Sequence, residues 1–151
     1  MGQSLSQLYI HLTFGTKDRF PFISKECEKQ LHSYIAGTLK TYESPALIIN
    51  SVPDHIHILF HLSKNYSLSK VVEEIKKQSS KWMKEVKGGI GKFSWQTGYG
   101  AFSVSSSKVI VVKEYIERQK EHHTRKTYME EIEEFFKQYD IIEYNTDFFW
   151  R

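Results

Sequence analysis

The run PDHIHILFHL, residues 53–62, constrains this chain more than any other stretch. Side chains alternate faces along a strand, so Ile56, Ile58, Phe60 and Leu62 share one face while His55, His57, Leu59 and His61 share the other. A period-two pattern of this regularity suits a strand and not a helix. Pro53-Asp54 supplies a turn, and ALIINSV just before it reads as a second strand, which makes residues 46–62 a predicted hairpin. The aliphatic face has to be covered by something apolar. The histidine face is then expected to look outward or to lie beneath a further element.

Two amphipathic helices flank the hairpin and provide the cover. Ser24 is the expected N-cap of the first, whose apolar stripe is Cys27, Leu31, Tyr34, Ile35, Leu39 and Tyr42. The second is expected to start near Ser67 or Ser69 and carries Leu68, Val71, Val72, Ile75, Trp82, Met83 and Val86. LYIHLTF at residues 8–14 and YGAFSV at 99–104 alternate as strands. After SSSK, a helix is predicted from Val109 to about His122. Thr127 and Glu130 then have capping-box spacing for a last helix with Met129, Ile132, Phe135 and Phe136. The order β-α-β-β-α-β followed by two helices predicts an α+β, ferredoxin-like antiparallel sheet with two additional C-terminal helices, forming one domain over residues 1–151. Such a fold does not by itself name a function.

Composition excludes several classes. At 151 residues with 40% hydrophobic and 15% aromatic content, the chain can bury a sizeable core. Cys27 is its only cysteine, which rules out an internal disulfide and a multi-cysteine zinc site. The opening MGQSLSQLYIHL lacks the pattern of a signal peptide, and no run is apolar for long enough to span a bilayer, so a cytoplasmic location without membrane association is expected. The formal charge of +3 permits a nucleic-acid partner without demanding one.

His55 and His57, two apart on one face, can hold one metal ion between them, because neutral imidazole is a common ligand. They can equally be ordinary histidines of a half-exposed strand, and a third ligand would have to come from elsewhere. In VIVVKEYIERQKEHH, Tyr115 and Gln119 are four apart and share a helix face, while Val109, Val112 and Ile116 form a stripe able to dock that helix on the sheet. Docking would bring a phenol and a carboxamide towards the histidines. Lysines on the second long helix, Lys77 and Lys81 among them, suit a phosphate backbone or simply a solvated face. Lys17 and Arg19, in the loop after the first strand, are similar. Trp95 and Tyr99, in a glycine-flanked segment, can stack on unpaired bases or anchor their loop into the core.

A histidine–hydrophobic–histidine strand within a βαββαβ chain, followed by Tyr-x-x-x-Gln on a late helix, resembles the single-tyrosine HUH transposases. These are small insertion-sequence enzymes and their REP-associated relatives. WQTGYGAFSVS, YIERQKEHH and the opening YIHLTFGTKDRFPF resemble further family segments, so the likeness covers nearly the whole chain. It implies that His55, His57 and Gln119 bind magnesium or manganese and that Tyr115 is the nucleophile. Attack by Tyr115 would leave a 5′-phosphotyrosine and a free 3′-hydroxyl, which preserves the phosphodiester energy for rejoining. A phenol has a pKa of about 10, so it needs assistance near neutral pH. Lys113, Lys120, His122 and His123 lie on the same predicted helix, and spacing does not choose among them. His61 has either an outer-shell or a packing role.

The resemblance also implies single-stranded DNA hairpins as partners, with the target sequence undetermined. A homodimer is expected, with active sites that many insertion-sequence relatives share between subunits; the REP-associated relatives can work as monomers. Two rival readings are a nicking HUH endonuclease without transposition and a non-catalytic ferredoxin-like module that stacks nucleic acid on exposed aromatics. Position 119 being Gln argues against the two-tyrosine replication enzymes.

Overall fold

A computed structural model describes residues 2–86, 90–123, 125–139 and 149–150, the side chains of His122 and His123 excepted. Four strands, β1 (Leu8–Gly15), β2 (Ala46–Val52), β3 (His55–Leu62) and β4 (Gly100–Val104), form one sheet in the order β2-β3-β1-β4. Every pairing is antiparallel. Helices α1 (Lys25–Thr41) and α2 (Leu68–Glu85) connect the strands as in the ferredoxin-like α+β arrangement. Among the described residues, no helix is long and apolar enough to cross a membrane.

Local chemistry sets the boundaries of these elements. The Ser24 side chain accepts from the Cys27 amide to open α1, and Ser67 accepts from Lys70 to open α2; each such cap contributes about 1 kcal/mol. The predicted stripe of α1 is buried at Leu31, Ile35 and Leu39, and Tyr34 stacks on Trp82 of α2 with ring centroids 5.6 Å apart. These residues meet Ile56, Ile58, Phe60 and Leu62 from β3 and Val71, Val72, Ile75 and Met83 from α2 in the main core. Fully burying an aliphatic side chain contributes about 1.5–3 kcal/mol, so this layer dominates the favourable terms.

The opposite face of the sheet is also covered, by α3 (Val109–Glu117), α4 (Gln119–His123) and α5 (Tyr128–Gln138). Val109, Val112 and Ile116 pack on Leu59 and Val104, which is the docking that their spacing predicts. Tyr128, Ile132 and Phe136 of α5 pack on Phe102 of β4. As a result the histidine face does not look outward: His55 and His57 are both 0% exposed.

One element differs from expectation. The helix predicted to run unbroken to about His122 divides at Arg118, whose φ of −93° and ψ of 16° depart from helical values. The physical reason lies on β2, where Nδ2 of Asn50 donates to the carbonyls of Ile116 at 2.8 Å and Glu117 at 3.3 Å. Those carbonyls no longer need amides from the next turn, so the chain reorients before Gln119. The sheet therefore carries three C-terminal helices, not two.

Candidate active site

The site is built from both ends of the fold. The Pro53-Asp54 turn starts β3 at His55, and strand alternation places His57 on the same face. Asp54 Oδ1 accepts from His55 Nδ1 at 2.7 Å, directing Nε2 of that ring inward. His57 is fixed differently. Its Nδ1 lies 2.8 Å from Nε2 of His11 on β1, one nitrogen donating to the other, so its Nε2 is the inward atom. A ring whose outer nitrogen is engaged presents a defined tautomer at the other, as metal-ligating histidines require.

Tyr115 and Gln119 arrive from α3 and α4. Gln119 Oε1 is 3.3 Å from His55 Nε2, and the Tyr115 ring meets His57 edge-on at 5.9 Å. The divide at Arg118 thus leaves the two residues together, although they stand on separate helices.

Between them sits Glu131 of α5, which sequence reasoning missed. Its Oε1 accepts from the Tyr115 hydroxyl and, at 3.0 Å, from Gln119 Nε2. Oε1 also lies 3.0 Å from His57 Nε2, an ion-pair distance, and Oε2 lies 3.4 Å from His55 Nε2. His55, His57 and Glu131 form a cluster able to hold a metal ion, with ligand atoms within 4.8 Å of one another. The available signal was the capping box at Thr127 and Glu130, which the structure contains and which starts the helix that carries Glu131. Nothing in strand spacing revealed His11 or Asp54 as supports.

Electrostatics follow from this packing. Burial would push the Glu131 carboxyl up, but hydrogen bonds and charge from His55 and His57 outweigh it and hold the group well below the carboxylate range. Burial alone would lower His55; Asp54 and Glu131 reverse the direction, so its pKa is raised. Burial, reinforced by the charge of His57, depresses His11 to about 3. Burial and then the Glu131 charge push the Tyr115 phenol well above its ordinary value. In this state Tyr115 is a neutral donor.

Other candidates fall outside the cluster. Lys120 turns away to Glu28 at 2.7 Å and Asn50 at 3.1 Å, and Lys113 is exposed. The side chains of His122 and His123 lie outside the described residues. His61 is close to the Ser6 carbonyl at 3.2 Å, at the far end of β3. Lys77 and Lys81 are exposed on α2, on the sheet face opposite the histidines. Lys17 is exposed just beyond the end of β1, where Gly15 pairs with His55; Arg19 lies 5.4 Å over the Trp150 ring. Trp95 is 7% exposed, donates Nε1 to Ser79 at 2.9 Å and packs edge-on against Phe14 and Phe93. Tyr99 is half-buried with the Lys76 ammonium 5.7 Å above its ring. That ammonium bonds the carbonyls of Gln96, Thr97 and Gly98, which ties the loop to α2.

Comparison with known proteins agrees with this geometry. Residues 4–119 match the family described as Transposase IS200 like. The chain belongs to the IS200-like transposase family, a class of DNA-processing enzymes. Two solved structures share the fold. One, from Deinococcus radiodurans and provisionally named as a transposase, is 21% identical with a TM-score of 0.62, covering 79% of this chain and 96% of its own. The other is a REP-associated tyrosine transposase bound to a REP hairpin, 16% identical with a TM-score of 0.59, covering 82% of this chain and 74% of its own. Among curated proteins, none matches the sequence significantly.

Proposed function

We propose that the protein cuts and rejoins single-stranded DNA through a 5′-phosphotyrosine, with Tyr115 as nucleophile. The carrying observation is that one chain brings the Tyr115 hydroxyl to a buried cluster in which two imidazole Nε2 atoms and a carboxamide oxygen converge. His55, His57 and Gln119 would hold magnesium or manganese, and their donors fit: both rings have their outer nitrogens engaged by Asp54 and His11. A divalent ion there supplies Lewis-acid polarisation of the scissile phosphate.

The protein's own groups do the rest. Tyr115 attacks phosphorus and gives up its proton; the bond from phosphorus to the 3′-oxygen breaks, releasing a 3′-hydroxyl on the departing strand. A second 3′-hydroxyl reverses the step and joins new ends. Lys17 and Arg19, which follow β1 directly beside His55, are suited to phosphates near the site. Lys77 and Lys81 would serve DNA passing over the opposite face. Trp95 and Tyr99 anchor their own loop to the core and to α2 more than they offer free rings. DNA hairpins are the proposed substrate, on the strength of the family and of the neighbour bound to one. The cluster is complete within one chain, which favours a site that needs no partner's tyrosine, whether or not the protein dimerises.

The test is a 3′-labelled single-stranded hairpin oligonucleotide incubated with protein and manganese, then run on a denaturing gel. A labelled protein band that requires metal and is absent with Tyr115→Phe is the expected result. Retention of DNA binding without any adduct in the wild type would favour the non-catalytic binding module.

A further inference from the structure

We infer that Glu131 is a further ligand of the divalent ion, so that this chain surrounds it with two imidazoles, an amide oxygen and a carboxylate. The inference rests on the metal reading above and adds to it a residue outside the family match, which ends at residue 119. Helix α5 brings Glu131 in. The Thr127 side chain accepts from the Glu130 amide, which starts the helix, and Tyr128, Glu131, Ile132 and Phe136 are its buried residues, with Phe135 beside the His57 ring.

Spacing is the first argument. Adjacent ligands of an octahedral ion with bonds of about 2.1 Å stand about 3.0 Å apart. The observed separations are 3.0 Å from His57 Nε2 to Glu131 Oε1, 3.4 Å from His55 Nε2 to Oε2 and 3.3 Å from His55 Nε2 to Gln119 Oε1. Each of these three donor pairs already stands near a ligand-to-ligand distance, and His55, His57 and Glu131 offer ligand atoms that all lie within 4.8 Å of one another. Orientation is the second argument, because Asp54 and His11 turn both Nε2 atoms towards this carboxylate and not towards solvent. Burial is the third. Glu131 is 4% exposed, and a carboxylate withdrawn that far from water is stable when it is paired or holds a metal. Its charge is also the only formal one among the four donors once the imidazoles are neutral, and a carboxylate oxygen is a preferred ligand of a hard dication.

Calorimetric titration of Mn2+ into the wild type, Glu131→Gln and Gln119→Ala proteins tests this. Glu131→Gln is expected to lower Mn2+ affinity by about tenfold or more, since even outer-shell partners contribute on that scale. Equal affinity in the wild type and Glu131→Gln would overturn the inference and leave the three-residue site standing. No Mn2+ binding by the wild type would remove the metal reading itself. Because a substitution inside the cluster can disturb folding, wild-type crystals soaked in MnCl2 give an independent answer. An anomalous peak bonded to the Glu131 carboxylate supports the inference; a peak among His55, His57 and Gln119 with Glu131 turned away overturns it.

Discussion

The hydroxyl of Tyr115 on α3 donates to the carboxylate of Glu131 on α5, 16 residues further along the chain, and Gln119 Nε2 donates to the same carboxylate oxygen. A hydrogen bond to a charged group contributes about 1.5–3 kcal/mol. Tyr115→Phe keeps the ring and its packing on Phe135 and His57, so the cost is expected to fall in that range. Urea unfolding measures it; a loss near zero would show that the bond adds nothing to the folded state.

Asn50 is expected to act on the site without touching it. Its Nδ2 satisfies the carbonyls where α3 ends, and its Oδ1 accepts from Lys120 at 3.1 Å. Asn50→Ala removes the side-chain donor from both carbonyls, for a loss of about 0.5–1.5 kcal/mol. It also loosens the turn that separates Tyr115 from Gln119. DNA cleavage is expected to fall with DNA affinity unchanged, and an unaffected cleavage rate would sink this positional role.

Acid sensitivity has a definite window. The folded state keeps His11 near a pKa of about 3, against 6.5 when unfolded, and burial lowers His32 as well. Below pH 6.5 the unfolded chain takes up protons that the folded chain refuses, so stability falls as pH falls, by about 1.4 kcal/mol per pH unit for His11, and His32 acts in the same direction. His55, with a raised pKa, is protonated in both states there and adds no slope. Glu131, held below 4.5, adds its own loss only beneath that value. Between pH 6.5 and 4.5 His11 and His32 both contribute to this slope, and His11→Gln is expected to reduce it. Chemical denaturation at pH 7 and pH 5 provides the measurement.

Mixing His57→Ala and Tyr115→Phe proteins asks whether chains exchange their nucleophiles. Because His57, Tyr115, Gln119 and Glu131 meet inside one chain, the mixture is expected to stay inactive on single-stranded DNA. Restored cleavage would mean that α3 reaches the histidines of a second copy.

Local chemistry made much of the fold legible in advance. Ser24 and Thr127 cap the helices that their spacing predicted, and the alternation in β3 assigned each side chain to its observed face. The meeting of Tyr115 and Gln119 with the histidines agrees with the docking stripe Val109, Val112 and Ile116. What escaped depends on contacts distant in sequence. The divide at Arg118 is made by Asn50, which lies 66 residues from Ile116. His11 supports His57 across strands 46 residues apart, and no periodicity on either strand encodes that pairing. Glu131 shares its amphipathic helix with other glutamates, and only tertiary packing distinguishes it by burying it.

Covering β3 on both sides has a kinetic meaning. His55, His57 and Gln119 are each 0% exposed, so nothing in solution meets their donor atoms while α5 remains seated. The apparent affinity for any ligand of this cluster is then its intrinsic affinity scaled by the fraction of molecules in which the helices stand aside. Reactivity at the histidines thereby reports the free energy of a local opening, a quantity that amide hydrogen exchange along α5 reads without any DNA.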